Sequence, residues 1–334
     1  MRRARRTIGP PHRPDAPVTE PIAPAPAYAS APDLGVVTTY FNPAGWRSRR
    51  ALFDRFLEPF SRSDLTLLVV ECALGDAPFE LPPSPSVVRV RAPHALWQKE
   101  RLLNAALARL PARVTKVAWV DADVLFSSPT WTEETSRALE DAAIAQPFDR
   151  AIYLPRDTST FDGDGDVRES FSAVFRRKPE LHLHGDYALH GVTGLAWAAR
   201  RDVLERHGLY DACLSGSGDH LIAHATLGDF RSPCVARTFA GNARYAAHFA
   251  EWVARWKTSV PGRVGGARGE ALHLWHGDRR HRGYPAKNRE LAALGFDPAS
   301  DLEVSDQGAW LSRRDDLVQW SSALFAGRHE DGDP

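Results

Sequence analysis

The reading of the fold turns on Val117-Ala118-Trp119-Val120-Asp121-Ala122-Asp123-Val124. Four apolar residues run without a break and end on two carboxylates spaced i and i+2. An uninterrupted apolar run suits a strand covered on both faces, as in a parallel sheet. Carboxylates are costly inside such a strand, so it must stop near Val120 and leave the acids at its carboxyl end. Upstream, Leu96, Leu103, Leu107 and Leu110 mark one face of a helix, with Trp97, Arg101 and Asn104 on an adjoining stripe. Before it come a strand at Val87–Val90, the buried strand Leu65–Glu71, a helix over Trp46–Phe60, and a first strand at Leu34–Phe41. The order strand, helix, strand, strand, helix, strand predicts an α/β fold with parallel pairs. Such sheets bind ligands at the carboxyl ends of their strands. Tyr40-Phe41-Asn42, Glu71 and Asp121–Asp123 all fall there.

Downstream, the pattern predicts a helix at 131–142, a strand at 151–154, an irregular loop or flap over 157–186, and a strand at Gly194–Ala198. Further helices are expected at 201–207, closed by Gly208, and at 219–227, 246–257, 286–294 and 314–325. No internal repeat is visible. Residues 1–34 hold eight of the 25 prolines and few large apolar side chains, which predicts a disordered leader.

The chain has 334 residues, with 42 Lys+Arg against 42 Asp+Glu. Zero net charge gives no global basic field, so nucleic acid is not expected as a partner. Cys72, Cys213 and Cys234 form no CxxC pair, which argues against a disulfide scaffold or a zinc ribbon. The basic start lacks the apolar core of a signal peptide, and no apolar stretch is long enough to span a membrane. A cytoplasmic location is the expectation.

Three constellations can carry chemistry. Asp121 and Asp123 can converge on one hard cation, Mn²⁺ or Mg²⁺, although Asp-x-Asp also occurs in plain surface turns. In Leu272-His273-Leu274-Trp275-His276-Gly277, two histidines three apart suit a metal or a phosphate, or else a buried hydrogen-bonded role. The basic run that follows, with Arg282, is either a solvated face or a counter-charge for phosphate. In Gly216-Ser217-Gly218-Asp219-His220, glycines around an acid at a helix start suit an exposed general base or a helix cap. Two imitations are set aside. Asp162-Gly163-Asp164-Gly165-Asp166 lacks the Gly and Glu that a calcium loop needs. His182, His184, Asp186 and His190 lack a paired zinc motif.

Taken in order, these residues resemble the GT-A-type glycosyltransferases over about 35–285, in particular the family 2-like and related galactosyl- and N-acetylgalactosaminyltransferase groups. The resemblance implies a Rossmann-like mixed sheet flanked by helices in a single catalytic domain over 35–300. Its nucleotide half would cover 35–150 and its acceptor half 151–300, with a C-terminal extension at 301–334. It implies metal-dependent transfer of a sugar from a nucleotide-diphosphate sugar, UDP-linked by preference, to the hydroxyl of a glycan or other acceptor. Asp121, Asp123 and the late His276 would hold Mn²⁺ or Mg²⁺. Thr39, Tyr40, Asn42, Glu71, Lys99, Arg101, Asn104, Ala122 and Arg282 would contact the nucleotide sugar. Gly194, Trp197, Gly218 and His220 would lie on the acceptor side, and Asp219 would be the base of an inverting transfer. The usual Glu-Asp pair is Gly218-Asp219 here, and Leu221 replaces a further acid, so acceptor recognition is expected to differ. A nucleotidyltransferase or nucleotide-sugar hydrolase would use Asp121 and Asp123 without Asp219. A non-catalytic nucleotide- or carbohydrate-binding relative would need no turnover at all.

Overall fold

Val36 and Val37 face opposite layers of the domain, and that alternation sets the architecture. They lie on the first strand, β1 (Leu34–Phe41), which is followed by α1 (Arg47–Ser61), β2 (Thr66–Leu74), β3 (Val87–Ala92), α2 (Lys99–Ala106) and β4 (Lys116–Val120). β1 pairs in parallel with β2 and with β4, and β2 with β3. Phe53, Phe56 and Phe60 of α1 cover one face beside Val36, and Leu102, Leu103 and Ala106 of α2 cover the other beside Val37. A sheet covered on both sides requires apolar residues at successive positions, which is why β2 and β4 read as continuous runs.

The chain continues through β5 (Val124–Phe126), α3 (Trp131–Asp141), β6 (Ile144–Gln146), β7 (Arg150–Tyr153), β8 (Asp166–Glu169), α4 (Phe171–Arg177), β9 (Ala196–Arg200) and α5 (Arg201–His207). It then forms α6 (Gly218–Thr226), α7 (Pro233–Phe239), α8 (Ala243–Trp256), β10 (Val264–Gly266) and β11 (Glu270–His273). The last elements are α9 (Tyr284–Ala293), α10 (Pro298–Asp301), β12 (Glu303–Val304), β13 (Trp310–Leu311) and α11 (Asp315–Ala326). The main sheet is seven-stranded in the order β10-β6-β9-β4-β1-β2-β3, and β9 is its antiparallel member. A four-stranded sheet, β5-β11-β7-β8, packs beside it. The mixed α/β sheet flanked by helices agrees with the expected fold class.

This computed structural model describes residues 24–184 and 189–332. Residues 1–23 of the expected leader lie outside these limits, as does Asp186. Its final part is not a loose tail. Tyr28 is buried among Phe60, Phe126 and Trp131, and its hydroxyl accepts the Phe126 amide at 2.9 Å. The expected loop over 157–186 is corrected as well, because it contains β8 and α4. β8 is an edge strand with mostly exposed polar side chains, so it carries no apolar alternation. α4 buries only Phe171, Ser172 and Val174, and starts on a Ser170 hydroxyl that accepts the Ala173 amide. α7 was not anticipated either, although Ser232-Pro233 is a usable start signal. Gly208 closes α5 with φ +65°, as expected of a C-terminal glycine. Among the described residues, no helix is long and apolar enough to cross a membrane.

Candidate active site

The chain leaves the large sheet at Val120 and enters the small one at Val124, and the Asp-x-Asp segment is the turn between them. Three backbone bonds pin that turn. The Asp121 amide donates to the Leu195 carbonyl at 2.8 Å, the Val124 amide to the Asp121 carbonyl at 3.1 Å, and the Leu274 amide to the Asp123 carbonyl at 2.8 Å. Leu195 holds its position with φ +82°, a left-handed conformation that is rare for leucine. Because β11 pairs antiparallel to β5 with His273 opposite Val124, the end of β11 is carried to Asp123.

Asp123, His273 and His276 are buried and offer ligand atoms that all lie within 4.8 Å of one another. His276 Nε2 stands 3.1 Å from Asp123 Oδ2 and 3.2 Å from His273 Nε2. Asp123 Oδ1 is buried with no hydrogen-bond partner. Burial brings both imidazoles down to about 3, so they are neutral, the form that binds a metal. One carboxylate and two imidazoles fit a divalent transition metal better than Mg²⁺, which prefers an all-oxygen shell. Arg282 lies on the same group, its guanidinium 2.8 Å from His276 Nε2.

Asp121 is placed differently. Its Oδ1 pairs with Lys99 Nζ at 2.9 Å, and the same ammonium meets Asp219 Oδ2 at 2.6 Å. Asp219 Oδ1 accepts the Trp119 indole N–H at 3.2 Å. Lys99 thus joins the Asp-x-Asp turn to the first turn of α6. Burial lowers the ammonium's proton affinity, but Asp121, Asp219 and Glu100 outweigh this and hold it well above the usual lysine range. Burial raises the Asp219 carboxyl above its ordinary value against the pull of Lys99.

Gly218 has a steric reason to be glycine, since a Cβ there would collide with the Glu100 side chain. Glu100 is buried, and desolvation pushes its carboxyl up to about 8 despite Lys99. Its Oε2 has no hydrogen-bond partner. Between the ordinary carboxyl range and about 8, the folded chain keeps a proton that the unfolded chain has released. Stability therefore falls as pH rises through that window. Urea denaturation at about pH 5 and about pH 8 should show a smaller fall for Glu100→Gln than for the parent. Equal falls would contradict the assignment.

Other expected contacts are redistributed. Glu71 is buried, and its Oε1 accepts the amides of Glu80 and Leu81, so it clamps the loop after β2 instead of facing a nucleoside. Tyr40 and Asn42 both donate to the Glu80 carboxylate, which closes that loop over the end of β1. Thr39 is half-buried on β1, and Ala122 lies half-buried in the turn itself. Arg101 and Asn104 each reach Asp211 Oδ2 at 3.0 Å. They line a separate cleft of about 500 Å³ with Tyr210, His248 and Trp252, away from the Asp-x-Asp turn. Trp197 corrects the acceptor-side expectation, being fully buried with its indole N–H on the Thr193 carbonyl at 2.7 Å. His220 is buried too and faces other histidines. Gly194, half-buried just before β9, has open space where a Cβ would be.

The sequence reading missed Glu330. The segment after α11 folds back so that Glu330 pairs with Arg49 and, at 2.6 Å, with Arg328. Its Oε1 lies 3.8 Å from His276 Nδ1. That separation is too long for a hydrogen bond, so Glu330 places negative charge behind the imidazole without pinning the ring. Phe325 of α11 stacks on Trp97 at 5.8 Å and meets Phe41 edge-on, which seats this segment at the strand ends.

Neither a protein-family model nor a curated protein sequence matches the chain. Among solved structures, it is similar to the catalytic domain of Drosophila beta1,4galactosyltransferase 7 in complex with xylobiose, at 9% identity, covering 88% of this chain and 98% of that one with a TM-score of 0.37. A mutant of the Drosophila enzyme in complex with manganese, UDP-Gal and xylobiose is similar at 10% identity over the same shares, with a TM-score of 0.35. The 4-diphosphocytidyl-2C-methyl-D-erythritol synthase of Anaerococcus prevotii is similar at 10% identity, covering 89% and 96%, with a TM-score of 0.32.

Proposed function

We propose that this protein is a metal-dependent glycosyltransferase that uses a nucleotide-diphosphate sugar. The observation that carries the reading is the convergence of Asp123, His273 and His276 with Lys99 and Arg282 at the carboxyl edge of the parallel strands. Two phosphates must be held there and must leave with their charge compensated. Asp123, His273 and His276 would hold a divalent ion such as Mn²⁺, which supplies Lewis-acid stabilisation of the leaving diphosphate when bound. Arg282 adds a fixed cation beside the same donors. Asp219 would accept the proton of the acceptor hydroxyl, and Lys99 favours its charged form against burial and orients it. Tyr40 and Asn42 shape the neighbouring strand end through Glu80.

One observation favours a second reading. Both oxygens of Asp219 are already engaged, by Lys99 and by Trp119. If Asp219 only positions the turn, the same metal and cations would serve nucleotidyl transfer or nucleotide-sugar hydrolysis. A panel of sugar nucleotides with and without Mn²⁺ separates the two. Acceptor-dependent release of UDP or GDP, lost in Asp219→Asn while donor binding persists, is the expected result. Pyrophosphate as a product or substrate, with Asp219→Asn active, would favour the second reading. Donor binding without any turnover would remove both.

A further inference from the structure

A second group of potential metal ligands lies on the other side of Asp219. His190, His220, His224 and Cys234 are all buried, and their ligand atoms lie within 4.8 Å of one another. They come from three places: the segment before β9, two positions one turn apart on α6, and the start of α7. His220 and His224 share a helix face because they are spaced i and i+4. Cys234 Sγ is 3.4 Å from His224 Nε2. Tetrahedral zinc, with Zn–N near 2.0–2.1 Å and Zn–S near 2.3 Å, requires an N···S edge of about 3.6 Å. The Cys234–His224 edge therefore already stands near the spacing a shared ion would impose, and the other two imidazoles lie within reach of it.

The surroundings complete such a site. Asp229 Oδ2 lies 2.8 Å from His224 Nδ1 and so directs Nε2 of that ring toward Cys234. Asp229 is itself fixed by the amides of Arg231 and Ser232 at 3.1 and 2.9 Å. His190 Nδ1 lies 3.0 Å from the Gly191 carbonyl, which fixes that ring. Phe171 packs edge-on against His190 and closes the apolar wall.

We propose that His190, His220, His224 and Cys234 form a structural zinc site that locks α6 against α7 and the segment before β9. Three imidazoles and a thiolate select a softer ion than the Asp123 centre does. Four protein ligands and full burial leave no open position for substrate, which is the mark of a structural site. Its consequence for chemistry is indirect. His220 follows Asp219, so the ion would fix the helix turn that presents Asp219 to Lys99. The inference does not depend on the proposed transfer activity.

The test uses the full chain without a polyhistidine tag. After dialysis against a weak chelator, elemental analysis should find about one zinc per chain. Cobalt exchanged into the protein should give a thiolate-to-cobalt charge-transfer band and intense tetrahedral bands in the visible. Cys234→Ser should lose the charge-transfer band, whereas Asp123→Ala should keep it. If Cys234→Ser fails to fold, the parent's own zinc content and cobalt spectrum decide the matter. A folded parent that retains no zinc and gives no charge-transfer band would overturn the proposal. So would a Cys234→Ser protein with an unchanged cobalt spectrum.

Discussion

Asp123→Ala is expected to reduce metal-dependent release of nucleotide diphosphate by roughly 10²-fold or more, the scale of losing a principal source of transition-state charge stabilisation. The reason is geometric. Asp123 is the sole carboxylate among the three clustered donors, and His273 and His276 alone provide two neutral ligands. Its backbone carbonyl already holds the Leu274 amide, so the substitution leaves the turn in place and removes only the side chain. Steady-state release of UDP or GDP against Mn²⁺ concentration is the measurement. A variant within about threefold of the parent at saturating Mn²⁺ would remove Asp123 from the centre, because losing a real ligand costs far more.

Glu330→Ala is expected to lower stability by about 3–5 kcal/mol, since deleting one partner of a buried ion pair leaves charge uncompensated. Here one carboxylate serves two arginines: Arg49 and Arg328 both pair with Glu330, which is 1% exposed. Burial alone would raise its carboxyl, but Arg49 dominates and holds it well below the ordinary range. The same change should weaken Mn²⁺ binding, because the negative charge 3.8 Å behind His276 is lost. Chemical denaturation and Mn²⁺ titration read the two effects separately. A loss of stability below about 1 kcal/mol, the size expected of an exposed pair, would mean that the pair is not buried in solution.

Much of this was legible in the sequence because it is local. An apolar run broken by Asp121 locates a strand end, and the leucine spacing locates the helix that precedes it, although α2 covers only Lys99–Ala106 and leaves Leu96, Leu107 and Leu110 in the flanking turns. The pairing of His273 with His276 was also visible as a short motif. What escaped depends on contacts between distant segments. Lys99 meets Asp219 across 120 positions, and Arg49 meets Glu330 across 281. Charged residues near a chain end read as a solvated tail unless something shows that they fold back. The available hint was the amphipathic stretch that forms α11, whose Leu317 and Phe325 are buried. His220 is expected beside Asp219 on the acceptor side, yet successive helix residues point about 100° apart, so Asp219 faces Lys99 while His220 faces the other histidines. Trp197 illustrates the converse. On a strand paired on both sides, core packing outweighed the aromatic's aptitude for stacking on a sugar.

The central claim is that Asp123, His273 and His276 hold a divalent ion against a nucleotide diphosphate. Calorimetric titration of UDP and GDP into the protein, in Mn²⁺ and after chelation, tests it most directly. The predicted result is binding of at least one nucleotide in Mn²⁺, loss of that binding on chelation, and the same loss in Asp123→Ala. Binding of equal strength with and without Mn²⁺, or no binding of either nucleotide in Mn²⁺, would contradict it.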